Sequence, residues 1–145
     1  MDALNEGEKQ VFDPAAAGWT LLRGDPFTEW AGPIWRRRDA EIQAYAFLAT
    51  ARHVNPVGTV HGGMIMTFAD VAFGSMAWLA IGKRAAVTVQ FDMRFVSAVR
   101  AGDFVEMAPE VVRATRSLVF LRGTLRAGER VVATADGIWK TVDRA

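Results

Sequence analysis

Cysteine is absent from the 145 residues, and histidine occurs only twice, at His53 and His61. Disulfide staples are excluded, and a zinc site would have to lean on carboxylates. No metal or other cofactor is expected. Charge of one sign is missing as well, since 17 basic and 16 acidic residues leave a net charge of +1 at neutral pH. That balance gives no whole-chain attraction to a polyanion, so nucleic acid is not an expected partner. Residues 1–17 carry Asp2, Glu6, Glu8, Lys9 and Asp13 with no continuous apolar stretch. A secretory signal is not read there, and the lack of cysteine fits a reducing compartment, so a cytoplasmic location is expected. Internal repeats and low-complexity stretches are also missing.

The chain does have enough apolar residues, at 51%, to fill one core, and its length suits one domain over 1–145 with residues 1–18 as an N-terminal extension. The segment from Asp13 to Trp30 has room for a short helix. The stretches "GPIWRRR" and "EIQAYAFLAT" read as a hairpin through Asp39 and Ala40. Asn55-Pro56 and Gly58 then supply turn chemistry before "MIMTFADVAFGSMAWLAI", which is too long for one strand, lacks proline and reads as a helix ended by Gly82. From Gly62 to Ile81 the chain nearly matches the length of a membrane span. Amphipathic strands on both sides favour a helix buried in the centre of a fold instead, and no membrane is expected as partner.

Downstream, Val87, Val89, Phe91, Met93 and Phe95 alternate with Thr88, Gln90, Asp92 and Arg94, the period of a half-buried strand. Three more strands are predicted, from Asp103 to Arg113, Ser117 to Leu125 and Arg130 to Val142, with Pro109 and Gly137 marking bulges or edges. Two strands, a buried helix and a four-strand antiparallel run make an α+β fold in which a curved sheet wraps the helix.

The chemistry concentrates around that helix. Gly62 and Gly63 lie at its N-terminus, where amides lack intrahelical acceptors and the dipole favours an oxygen gaining negative charge. Asp70 is the only ionisable side chain inside the helix. A lone carboxylate in such apolar surroundings is costly unless partnered or used, so Asp70 leads the catalytic candidates. Eight residues separate it from Gly62, about 12 Å along the axis, too far for both to touch one carbonyl. Two copies packed with these helices antiparallel would bring Asp70 of one near Gly62 of the other. Gly63, Thr67, Asp70 and Gly74 form a narrow stripe of small and polar residues suited to that approach. An obligate homodimer with two shared sites is expected, assembled as a dimer of dimers.

The spacing of Asn55, His61-Gly62-Gly63 and Asp70, followed by Thr88 and the turn Arg100-Ala101-Gly102-Asp103, resembles the hot dog fold acyl-CoA thioesterases of the phenylacetate-pathway (PaaI-like) type, from about Trp19 to Val142. The resemblance implies a hot dog fold and hydrolysis of an acyl-CoA. Asp70 would be the nucleophile or the general base that activates water. The Gly62 amide would polarise the thioester carbonyl, with Gly63 beside it. Asn55 would help hold the carbonyl or the water, and Thr88 would take the hydroxyl role beside Asp70, where the family often has serine. His61 belongs to the same set, read as a residue that fixes the turn through its ring nitrogens rather than as a base, while His53 is read as structural or on the surface. A thioester carbonyl is electrophilic and thiolate leaves readily, so these groups suffice for the chemistry.

Seven arginines against four acids between Arg94 and Arg130 form a surplus that could meet the phosphates of coenzyme A. Arg100, Arg113 and Arg116 are the best placed. The turn holding Arg113, Thr115, Arg116 and Ser117 resembles the family's stretch at the edge of the nucleotide site. The triple Arg36-Arg37-Arg38 is read as strand and surface charge. Met64, Met66, Phe68, Phe73, Met76 and Trp78 could shape an apolar pocket, making an aromatic or medium-chain acyl group plausible. Two other functions fit the same fold: a hydratase or dehydratase, which needs an acid/base pair near the acyl β-carbon, and a noncatalytic acyl-CoA sensor or binding module.

Overall fold

The computed structural model describes residues 11–143. In chain order the elements are β1 (Thr20–Leu21), α1 (Pro26–Ala31), β2 (Ile34–Asp39), β3 (Ile42–Leu48), a 3-10 turn (Ala51–His53), α2 (Gly62–Ala80), β4 (Ala86–Phe95), β5 (Phe104–Met107), β6 (Glu110–Ala114), β7 (Leu118–Ala127) and β8 (Arg130–Thr141). All of these strands join one antiparallel sheet ordered β1-β2-β3-β5-β7-β8-β4, with β6 pairing the first half of β7. The sheet curves around α2 in the hot dog layout. Residues 1–10 of the expected N-terminal extension lie outside the described residues.

Helix α2 is long and apolar enough to cross a bilayer by length and composition. Its side chains Ile65, Phe68, Ala69, Ala72, Phe73 and Ala77 are instead buried against the sheet. Phe68 meets Phe47 of β3, and Phe73 meets Trp139 of β8, at centroid distances of 5.0 and 5.2 Å. Aromatic pairs of this kind add cohesion beyond the apolar area they bury. Past Ala80 the chain reverses through Gly82 and Lys83, both with positive φ. Helix α1 begins at Pro26 behind Asp25, whose carboxylate accepts from Thr28 N and Oγ1 at 2.8 and 2.7 Å. Those bonds hold the Asp25 carboxyl below the usual carboxylate range.

Two strand expectations need correction. The segment from Asp103 to Arg113 is two strands rather than one, because the ladder breaks at Ala108 and Pro109. Proline has no N–H to give to the ladder. In β4 the alternation fails at Val89: Thr88 pairs Trp139 and Gln90 pairs Ile138, leaving Val89 as a bulge. Beyond the bulge Phe91 and Met93 face inward with Gly137 and Ala135. Before it, Thr88 rather than Val87 shares the inward side of Trp139. One extra residue thus exchanges the faces of everything on its N-terminal side.

Candidate active site

The loop ahead of α2 is closed by its own backbone. His61 N donates to the His53 carbonyl at 2.9 Å, and the His61 carbonyl accepts the first helical bonds from Met64 and Ile65. Gly62 and Gly63 therefore present the helix's leading N–H groups with no helical acceptor. The His61 ring is exposed and makes no capping bond. Main-chain bonds fix this turn, in place of the ring nitrogens expected for that work. His53 is the buried structural histidine: its Nδ1 accepts from Thr50 N at 3.1 Å, and Nε2 lies 2.9 Å from the Ala31 carbonyl, tying the loop to the end of α1. In that network the ring proton sits on Nε2.

Asn55 holds its own turn. Its Oδ1 accepts from Val57 N and Thr59 N, and Nδ2 donates to Thr59 Oγ1 at 2.9 Å. Sequence reasoning missed Phe95, at the end of β4. A methyl placed on Gly62 would lie 3.1 Å from the Phe95 ring, so the glycine lets that ring close over the helix start.

Asp70 and Thr88 are brought together. The Thr88 hydroxyl donates to Asp70 Oδ1 at 2.6 Å, across the space between α2 and β4. Only the bulge at Val89 turns Thr88 toward the helix, and Gly137 makes that bulge possible. A Cβ there would sit 2.5 Å from the Gln90 carbonyl oxygen and 2.8 Å from the Trp139 ring. Both partners line an open groove of about 1880 Å³ running along α2 past Thr67, Gly74 and Trp78. Gly62 is not among its lining residues. Within one chain the helix keeps Asp70 and the Gly62 amide about 12 Å apart, as its rise requires.

The arginine candidates divide between the two ends of α2. Arg100 belongs to the turn beside the helix start, where Val60 N bonds the Val99 carbonyl and Asp103 is held by Arg100 N and by Arg130 at 2.9 and 2.8 Å. Arg113, Thr115, Arg116 and Ser117 lie at the other end, where Arg84 reaches the Arg116 carbonyl at 3.4 Å. Thr115 Oγ1 already accepts from Leu118 N, holding the β6–β7 turn. The side chains of Arg100, Arg113 and Arg116 are exposed. Among the described residues no three His, Asp or Glu side chains gather into a metal-binding group.

The triple arginine lies on strand β2 with Arg36 and Arg38 exposed, as expected of surface charge, and all three residues border the groove. Arg36 pairs Tyr45 and Arg38 pairs Gln43, on the same side as the buried pair Ile34 and Phe47. Both therefore share the helix-side face of the hairpin while staying exposed. Arg37 points outward, 4.5 Å over the Trp19 ring and 2.9 Å from Asp39. Ile34, two and four residues ahead, was the signal, because residues at steps of two share a face. Burial pushes the Tyr45 phenol up to about 12, against the opposing pull of Arg36 and a hydrogen bond with Ser75. It stays a neutral donor at physiological pH.

A family model described as the thioesterase superfamily matches residues 57–134. A Pseudomonas aeruginosa relative, provisionally named an esterase, is 35% identical over 121 residues, 82% of this chain and 90% of its own. Among solved structures, a mutant form of the phenylacetic acid degradation protein PaaI from Thermus thermophilus is similar at 27% identity and a TM-score of 0.70, covering 81% of this chain and 100% of that one. A Bacillus halodurans protein crystallised with CoA shares the fold at a TM-score of 0.70 and 18% identity, over 76% of this chain and 74% of its own. The chain belongs to the thioesterase superfamily, with the hot dog fold, and it is a hydrolase.

Proposed function

We propose that the protein is an acyl-CoA thioesterase in which Asp70 is the reacting carboxylate, positioned by Thr88. The observation that carries this reading is the 2.6 Å bond between Thr88 and Asp70 Oδ1 inside the open groove. Thr88 engages one carboxylate oxygen and leaves the other for the substrate. As general base, Asp70 takes a proton from water while the hydroxide attacks the thioester carbon, and the carbonyl oxygen collects the negative charge. Collapse of that intermediate expels coenzyme A as thiolate, which is then protonated. Direct attack by Asp70 would pass instead through an anhydride that water hydrolyses. The partner for the oxyanion is the Gly62 amide with Gly63 beside it, Asn55 and His61 framing the loop.

The separation of Gly62 from Asp70 favours two copies sharing each site. Strand β4 supports that arrangement, because among the described residues it pairs only β8 and leaves its other edge free while Val87, Val89, Phe95 and Val96 stay exposed. Free edges of this length are ready templates for pairing. An obligate dimer, doubled to a dimer of dimers, would also set Arg100 of one copy nearer to Arg113, Thr115, Arg116 and Ser117 of another, around the phosphates of coenzyme A. The proposed setting is cytoplasmic and the proposed acyl group medium-chain or aromatic. A fully active monomer in sedimentation analysis would remove the shared site.

The test is hydrolysis of short, medium, long and aromatic acyl-CoAs with the released thiol trapped colorimetrically; the chain has no cysteine to add background. Asp70→Asn keeps the shape and deletes the charge, and turnover should fall about a hundred- to ten-thousandfold. Turnover near that of the parent would exclude Asp70 from the chemistry. Binding without turnover across the panel would favour a sensor.

A further inference from the structure

Three acids line the groove along α2, and each has its own partner: Asp25 caps α1, Asp39 pairs with Arg37, and Asp70 accepts from Thr88. Across the groove from Asp70, on the inner face of the β2–β3 hairpin, stand Arg36, Arg38, Tyr45 and Gln43. No carboxylate among the described residues forms an ion pair with Arg36 or Arg38. Arg38 Nε donates to the Ala40 carbonyl at 3.4 Å, a long bond to the turn of its own hairpin. Two like charges two residues apart on one face repel, and both remain exposed to the groove, where an anion could reach them. Both guanidinia are donors only, the Tyr45 phenol remains protonated, and the Gln43 amide, which donates one N–H to the Arg37 carbonyl at 3.5 Å, has a second to give. Such a set lacks one component, an anionic acceptor with more than one oxygen.

We propose that Arg36 and Arg38, with Tyr45 and Gln43, form a subsite for a carboxylate at the far end of the acyl chain, so that the preferred substrates are thioesters of dicarboxylic acids. The inference rests on the thioesterase reading and deepens it. Ser75, which lines the same groove as Tyr45, lies five residues beyond Asp70 and about 7.5 Å further along the helix axis. A short dicarboxylic chain crossing the groove would have its thioester at Asp70 and its free carboxylate at the arginines. Phosphate on the coenzyme A portion is the other anion that could sit there, and the test separates the two.

Glutaryl- and adipyl-CoA are compared with valeryl- and hexanoyl-CoA, and the same four acyl groups are presented as pantetheine thioesters, which carry no phosphate. The expected result is a kcat/KM preference of about tenfold or more for the carboxylated chains in both series. Arg36→Gln should abolish that preference, and Arg36→Lys should keep part of it. An unmodified protein with no preference overturns the subsite, whatever the variants do. So does an Arg36→Gln effect equal on all four CoA thioesters and absent on pantetheine thioesters, because it assigns the arginines to phosphate. If no thioester is hydrolysed, the thioesterase reading fails. Calorimetry with nonhydrolysable thioether analogues of the adipyl and hexanoyl substrates then decides the anion site alone, and equal affinities overturn it.

Discussion

On one side of α2 the side chains of Ile65, Phe68, Ala69, Ala72, Phe73 and Ala77 are buried against the sheet, and on the other Gly63, Thr67, Asp70 and Gly74 all keep some solvent access. The first set is apolar, and its phenylalanines interlock with Phe47 and Trp139. The second is small or polar, and three of its four members border the groove. The difference shows how one helix can anchor a core and still carry a carboxylate. Burial on one side supplies the cohesion within the chain, which relieves the other side of packing against its own sheet and leaves it free to carry a charged group.

Three substitutions test that division, beginning with the largest effect. Phe73→Ala empties a fully buried position and should destabilise the fold by about 3–5 kcal/mol in urea unfolding. A cost below about 1 kcal/mol would mean that the buried side is not what holds the helix. Gly137→Ala should follow, because its methyl would meet the Gln90 carbonyl and the Trp139 ring. Overpacking of that kind typically costs about 1–3 kcal/mol, and relief by flattening the bulge would turn Thr88 away from Asp70. Stability and turnover should therefore fall together in this variant alone, and unchanged turnover would detach the bulge from the site. Thr88→Val is the mildest for the fold. Stability should stay within about 0.5 kcal/mol at this exposed position, while turnover drops about tenfold or more with loss of the bond to Asp70. An equal loss in both measurements would blur the separation of the two sides.

Much of the fold was legible because its signals are periodic. The long apolar run had to be a helix, the turn residues bounded the later strands, and the glycine pair marked the helix start. The break at Pro109 was visible as a proline, although whether it kinks or divides a strand depends on the neighbours β5 and β6 each find along β7. Asp70 stood out as the single charge in its helix. The strand's alternation pointed Thr88 away from the helix, opposite Phe91; the family resemblance alone set it beside Asp70, and the pairing with β8 shows the extra residue that turns it there. Arg36, Arg37 and Arg38 were read as strand and surface charge, and Arg36 and Arg38 are exposed on strand β2, but the run of three charges did not tell which of them share the face of Ile34. Strand geometry sends the middle one outward and its neighbours in, which Ile34 had already signalled.

Gly137 also bears on how such sequences are recognised. The residues that mark the site lie between Asn55 and Thr88, and a search built on them would accept any chain that carries the set. Yet the hydroxyl reaches the carboxylate only because a strand far downstream has a vacancy where a side chain would stand. A homologue with the full upstream signature and a bulky residue at the place of Gly137 would keep every letter of the motif and lose the alignment those letters stand for. Such a chain is where motif-based assignment of catalytic competence should fail first.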